Sequence, residues 1–286
     1  MFFAISHSTS YTFSIPVFLE PHLFRFWPRT DSSQRLLSFQ LTIDPKPSGY
    51  SDILDSEGNI VRWVWFNDTT QNLNIEMQCE VSTQRKNPYD YIITTPSFQS
   101  YPFQYQEEIL PSLHSYLNLD KNMIGKKVEN LSDQLLKKSG GDIFAFLDMT
   151  NTFLYENWQV IVREKGQPLN PEETMQQNKA SCRDMALLLM ALYRNAGIAS
   201  RFVSGYQEGD PDTLKRQLHA WVEVYIPGGG WRGYDPTHGL AVSDRHVALA
   251  ASWTPREAAP CTGKFRGTGA KASMAFTIEL RSKSND

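Results

Sequence analysis

Apolar and polar residues alternate along the first third of the chain. In "LLSFQLTIDPKP" (36–47), Leu37, Phe39, Leu41 and Ile43 fall on one face, and Pro45 and Pro47 end the run. "NIVRWVWFN" (59–67) puts Trp63 and Trp65 on one side and Val64 and Phe66 on the other, after a turn at "SEGN". "LNIEMQCEVST" (73–83) alternates Leu73, Ile75, Met77, Cys79 and Val81, so Cys79 reads as a core position. The opening "MFFAISHSTSYTFSIPVFLEPHLFRFWPR" lacks a basic start and a long apolar core, and reads as a strand rather than a leader. Short strands separated by turns predict a sandwich-like module over residues 1–95.

Residues 88–102 are rich in Pro, Tyr, Ser and Thr, and beyond them the hydrophobic period changes. Two helices are predicted in a lead-in over 104–138, split by "NLDKN". A third begins after "SGGD", with Asp142 as its cap and Ile143, Leu147, Leu154, Trp158 and Ile161 in one stripe that Asn151 interrupts. "NPEET" reads as a helix start with Asn170 as cap and Pro171 in the first turn. A helix over about 182–196 ends at Gly197. Strands are predicted near 200–207, 218–226, 230–235 and 271–280. The fold class is α+β, with an N-terminal antiparallel β domain (1–95) followed by a second unit (96–286) in which a helix packs on an antiparallel sheet.

Composition narrows the function classes. A net charge of -3 with no basic block gives no nucleic-acid or membrane surface, and no apolar run is long enough to span a bilayer. The cysteines Cys79, Cys182 and Cys261 are odd in number and widely spaced, which disfavours a zinc ribbon or a disulfide scaffold. A reducing cytoplasm is the simplest expectation. "EGDPDT" (208–213) is too irregular for a calcium loop, and His238 and His246 have no partner at metal spacing in the sequence. Neither a metal nor a cofactor is expected.

Three residues carry candidate chemistry. Cys182 opens its helix behind Ser181, where unpaired N–H groups and the helix dipole favour an anion such as a thiolate. Arg183 adds positive charge beside it, and Arg183 and Asp184 either pair locally or face solvent. His219 begins "HAWVEVYIPGGGWRGYDPTHG", sharing a strand face with Trp221, Glu223 and Tyr225, while Ala220, Val222, Val224 and Ile226 face a core. Asp235 ends the partner strand before Pro236. A three-residue hairpin loop or a bulge would make His219 and Asp235 opposite or diagonal neighbours. Each has a plain alternative: a buried thiol, a half-buried strand histidine, a turn aspartate. Together they read as a Cys-His-Asp nucleophilic triad. Trp221 and Trp231 either wall a groove or pack in the core.

"SCRDMALLLMALYRNAGIASRFVSGYQ" followed by "HAWVEVYIPGGGWRGYDPTHG" resembles the core of the bacterial transglutaminase-like cysteine protease family. The N-terminal "LTIDPKP" and "DSEGN" are similar to that family's N-terminal domain, and "DRHVALAASWTPREAAPCTGKFRG" to its C-terminal end. The resemblance implies a papain-like core, Cys182 as nucleophile, His219 as general base and acid, and Asp235 as its orienter. It also raises Trp158 as an oxyanion donor, a role an aromatic has in animal transglutaminases. Two departures stand out. Ala180 replaces a Gly found in many members, an expected narrowing of the approach to the thiol. The tail also lacks the frequent R-D-Y pattern. The expected activity is acyl transfer on a peptide or protein substrate through a thioester, read as hydrolysis. The alternatives are an amine-accepting transglutaminase and a non-enzymatic peptide-binding module.

Overall fold

The computed structural model describes residues 1–118, 124–163, 166–209 and 216–284. Six strands open the chain: β1 (Phe2–Leu19), β2 (His22–Phe24), β3 (Gln34–Asp44), β4 (Gly49–Leu54), β5 (Ile60–Trp65) and β6 (Thr69–Thr83). Then follow α1 (Leu110–Leu117), α2 (Lys126–Lys138), α3 (Ile143–Asn157), β7 (Gln159–Val160), α4 (Pro171–Thr174), β8 (Lys179–Ala180) and α5 (Cys182–Asn195). The rest is strand: β9 (Ser200–Gln207), β10 (His219–Ile226), β11 (Gly230–Asp235), β12 (Leu240–Ala241), β13 (His246–Ser252), β14 (Cys261–Thr262), β15 (Phe265–Arg266) and β16 (Ala272–Lys283). The fold is α+β. Among the described residues no helix is long and apolar enough to cross a membrane.

The N-terminal module has two antiparallel sheets, β15-β1-β6-β3 with β16 also on β1, and β14-β2-β5-β4. Alternation in β6 buries Leu73, Ile75, Met77, Cys79 and Val81 as predicted. In β5, Val64 is buried, and Phe66 just beyond it, while Trp63 and Trp65 are exposed. The pattern in β3 fails at one place. A register shift between Leu36 and Ser38 inserts an extra residue, so Leu37 turns to solvent and Leu36 joins Phe39, Leu41 and Ile43 on the inner side.

Chain order predicts a boundary near residue 95 with everything beyond it in one unit. Strand pairing instead returns the C-terminus to the first module: β14 pairs with β2, while β15 and β16 pair with β1. Twelve β16 positions run antiparallel along Phe2 to Phe13. Local periodicity identifies a strand but not its partner, so the end of the chain could not be assigned from sequence.

The second unit is a five-stranded antiparallel sheet, β12-β11-β10-β9-β13. Its inner face, including Ala220, Val222, Val224 and Ile226, packs with the buried residues of α5. The predicted caps are present: Asp142 accepts from Ala145 N at 2.8 Å, and Asn170 accepts from Glu172 N at 2.9 Å. In α5 the apolar residues from Met185 to Tyr193 are buried all round, between the sheet and the other helices. Gly197, at φ 75°, takes the left-handed position that ends the helix. Part of "NLDKN" and most of "EGDPDT" lie outside the described residues.

Candidate active site

Topology alone brings Cys182 and His219 to the same end of the core. After Gly197 the chain reverses into β9, and β9 is antiparallel to β10. Helix α5 and strand β10 therefore run the same way, and their first residues, Cys182 and His219, begin at one end. Asp235, the last residue of β11, returns to that end because β10 and β11 form a hairpin. Ile226 pairs with Gly230 across a three-residue turn. Continuing this register sets Asp235 opposite Trp221, with His219 two residues away on the same face, a diagonal pair.

His219 Nε2 lies 2.6 Å from Asp235 Oδ2, and the Cys182 sulfur is near enough to the ring to favour its charged form. Burial works against charge on the imidazole, but the Asp235 carboxylate and the Cys182 sulfur outweigh it, and His219 is pushed up to about 10. Asp235 is fully buried. Its burial is outweighed by His219 and by hydrogen bonds from His238 and His246, so it stays well below the usual carboxylate range.

Asp235 is held from both oxygens. Thr237 donates to Oδ1 from its backbone N at 2.9 Å and from Oγ1 at 2.7 Å, a local turn that leaves Oδ2 for the histidines. His238 Nδ1 is 3.0 Å and His246 Nε2 2.9 Å from Oδ2. The sequence pattern assigns neither histidine a role. His238, three residues past Asp235, was visible as a local spacing, whereas His246 arrives from β13. The ligand atoms of His219, Asp235 and His238 lie within 4.8 Å of one another, contrary to the expectation that His238 has no partner at metal spacing. The hydrogen bonds within the group and the positive charge on His219 suit a proton-linked cluster better than a cation.

The helix start carrying Cys182 is clamped by its neighbours. Asp184 is buried and accepts from Ser181 N at 2.9 Å and Ser181 Oγ at 2.7 Å. Its other oxygen accepts from Leu169 N at 2.7 Å and from Arg163. Arg183 donates to the carbonyls of Gly166 at 2.9 Å and Arg163 at 2.5 Å. Thus Arg183 and Asp184 neither pair with each other nor simply face water; they fasten Arg163, Gly166 and Leu169 onto the first turn of α5.

Trp158 donates its indole N–H to Thr174 O at 3.1 Å, so that group is engaged away from any oxyanion. Trp221 is a core residue, and Trp231 is half-buried with the Arg201 guanidinium 4.2 Å from its ring. Ala180 is fully buried in the core cluster, and its carbonyl accepts from Ile161 N at 2.9 Å. Its methyl therefore fills the interior and does not narrow the approach to the thiol.

Residues 3–82 match the bacterial transglutaminase-like N-terminal region, and residues 130–236 match the transglutaminase-like superfamily. The chain belongs to the transglutaminase-like superfamily. An uncharacterized protein of Mycobacterium leprae is 23% identical over 283 residues, covering 96% of this chain and 97% of its own length. A protein-glutamine gamma-glutamyltransferase of Pseudomonas aeruginosa is 37% identical over 67 residues, 21% of this chain and 10% of that protein. A crystal structure described as a candidate cysteine protease, from Cytophaga hutchinsonii, matches with a TM-score of 0.75 at 22% identity, covering 100% of this chain and 92% of that one. That likeness establishes the shared fold.

Proposed function

We propose that this transglutaminase-like chain is a thiol-dependent acyl-transfer enzyme acting on peptide or carboxamide bonds, with hydrolysis as its reaction. The observation that carries this reading is the 2.6 Å contact of His219 Nε2 with Asp235 Oδ2, with the Cys182 sulfur, at a helix start, close enough to favour charge on the same ring. Cys182 attacks the carbonyl carbon as a thiolate, and the charged His219 gives its proton to the departing amine or ammonia. The resulting thioester is released by water, with neutral His219 taking the water's proton. Asp235 keeps the imidazole oriented and balances its charge. The first-turn N–H groups of α5 supply donors toward an oxyanion. A protein or peptide is the proposed substrate. A reducing compartment such as the cytoplasm fits a reaction that needs Cys182 free, and Cys79, Cys182 and Cys261 are all unpaired.

The test is incubation with a glutamine peptide, an unblocked peptide mixture and a labelled primary amine. Free ammonia or new peptide termini that vanish in Cys182→Ala support hydrolysis. Label incorporated at glutamine, with neither of those products, replaces it with transamidation. No Cys182-dependent product of either kind counts against the enzyme reading.

A further inference from the structure

We propose that His246 is a positioning residue for Asp235, acting as a neutral imidazole whose single N–H, on Nε2, holds the carboxylate oxygen that His219 uses. This inference rests on the triad reading above and adds a fourth side chain to it.

The argument starts from one oxygen. Asp235 Oδ2 has three imidazole nitrogens around it: His219 Nε2 at 2.6 Å, His246 Nε2 at 2.9 Å and His238 Nδ1 at 3.0 Å. The three histidines differ in their surroundings. His238 is 40% exposed and lies within 2.9 Å of Thr237 Oγ1 as well, so water and a hydroxyl can serve it. His246 is 8% exposed, and its ring is wedged between Trp221, centroid 5.1 Å away, and His219, 6.0 Å away. Its Nδ1 is buried without a hydrogen-bond partner among the described residues.

That orphaned nitrogen selects the tautomer. A proton on Nδ1 would be a buried donor with no acceptor, which is costly, and would leave the Nε2 lone pair facing a carboxylate. A doubly protonated ring would carry the same unsatisfied N–H and place a second cation beside charged His219. Only the neutral Nε2–H form satisfies Asp235 and leaves nothing but a lone pair on the buried side. Burial itself pushes His246 below its ordinary value, outweighing the Asp235 hydrogen bond, which agrees with this form. Two imidazoles thus meet one oxygen in opposite protonation states.

The fold makes room for this contact at Gly205. Gly205 faces His219 on β10 and Ala248 on β13, so it stands between the triad strands and the strand that carries His246. A Cβ there would lie 2.1 Å from Val247 O and 2.8 Å from the Trp221 ring. Any side chain at 205 would push β13 and the indole outward, and His246 with them. The Gly of "VSGY" is explained by this close approach.

The experiment follows alkylation of the Cys182 peptide by iodoacetamide at pH 6 in the full chain. In His246→Leu the rate is expected to fall about 10- to 100-fold, because Asp235 loses a donor and its hold on His219 loosens. In His246→Gln, whose amide N–H reaches the Nε2 position, most of the rate returns. An unchanged rate and pH profile in His246→Leu overturns the proposal, as does a Gln variant that folds yet is as slow as Leu. If neither variant folds, nitrogen-15 NMR of labelled histidines in the wild-type protein decides. A neutral Nε2–H ring at His246 from pH 6 to 9 supports the proposal, and a charged ring or an Nδ1–H tautomer overturns it. His219→Ala is the control. If its alkylation profile matches wild type, the triad reading itself fails. If it collapses while His246→Leu does not, only the present inference fails.

Discussion

Gln34 pairs with the peptide group of Ala248 as a neighbouring strand would. Its Oε1 accepts from Ala248 N at 2.8 Å, and its Nε2 donates to Ala248 O at 2.9 Å. Asn59 does the same at Ala251, at 3.0 Å in both directions. Strand β13 is the edge of the core sheet, and these two amides from the N-terminal module satisfy backbone groups that an edge leaves open. The contact is continuous with an apolar one, since Tyr206, Val247 and Leu249 share the module's core. Gln34→Glu turns a donor into an acceptor facing Ala248 O. It is expected to cost about 2–3 kcal/mol, read from urea unfolding. A loss below about 0.5 kcal/mol would mean that water replaces the pairing.

The raised His219 gives a pH signature. Its charged form persists until pH passes about 10, so the pairing with Asp235 and Cys182 is complete below the ordinary histidine value and is lost on the alkaline side. In His219→Ala, Cys182 alkylation at pH 6 is expected to drop roughly 100-fold, because no cationic ring remains beside the sulfur. Asp235→Asn is expected to cut turnover by about 10³- to 10⁴-fold while Cys182 can still be alkylated. A wild-type profile in His219→Ala would remove the imidazole from the chemistry.

A second histidine gives the opposite limb. His7 is buried, with Nδ1 2.8 Å from Tyr206 Oη and Nε2 3.1 Å from Thr9 Oγ1. Burial holds it down to about 4. The unfolded chain binds this proton more readily, so stability falls as pH drops from about 6.5 toward 4, by roughly 3 kcal/mol in all. His7→Gln is expected to flatten that acid limb in unfolding free energy measured against pH. An equally steep limb in the variant would assign it to other groups.

Asp184 ties Arg163 and Leu169 to the first turn of α5, where it also accepts from Ser181. Asp184→Ala is expected to destabilise the fold by about 2–4 kcal/mol, since it strands buried donors. Added ammonium-sized cations should not restore it. Limited proteolysis is the companion measurement, with new cleavage expected near Leu169. Unchanged thermal unfolding would show the clamp to be dispensable.

Ala180 offers a test of where selectivity resides. Its methyl is in the core, so Ala180→Gly should cost about 1–2 kcal/mol in stability through lost burial and a freer backbone. Relative rates across a set of peptide substrates should stay within about twofold. A changed substrate preference with unchanged stability would restore the view that this position gates the thiol.

Much of this molecule was legible as local pattern. Period-two alternation located β5 and β6, the caps at Asp142 and Asn170 were readable, and the bounds of α5, β9, β10 and β11 fell within a residue or two of prediction. Such features depend on neighbours a few residues apart, which the sequence states directly. The meeting of Cys182, His219 and Asp235 was legible for the same reason. Helix, reversal and hairpin are consecutive, so their ends follow from chain direction.

Only tertiary structure decided the rest. The bulge at Leu37 depends on its partner β6, and the pairing of β16 with β1 joins residues more than 250 positions apart. The His246 contact on Asp235 depends on how β13 lies against β9, which no periodicity encodes. Ala180, Arg183 and Asp184 stand next to Cys182 in sequence yet face the core or a distant segment. The sequence determined the elements and the residue types of the site, because those are local. Burial and partner choice belong to surfaces that meet only when the chain is folded, and they set His219 and His246 in opposite directions around one carboxylate.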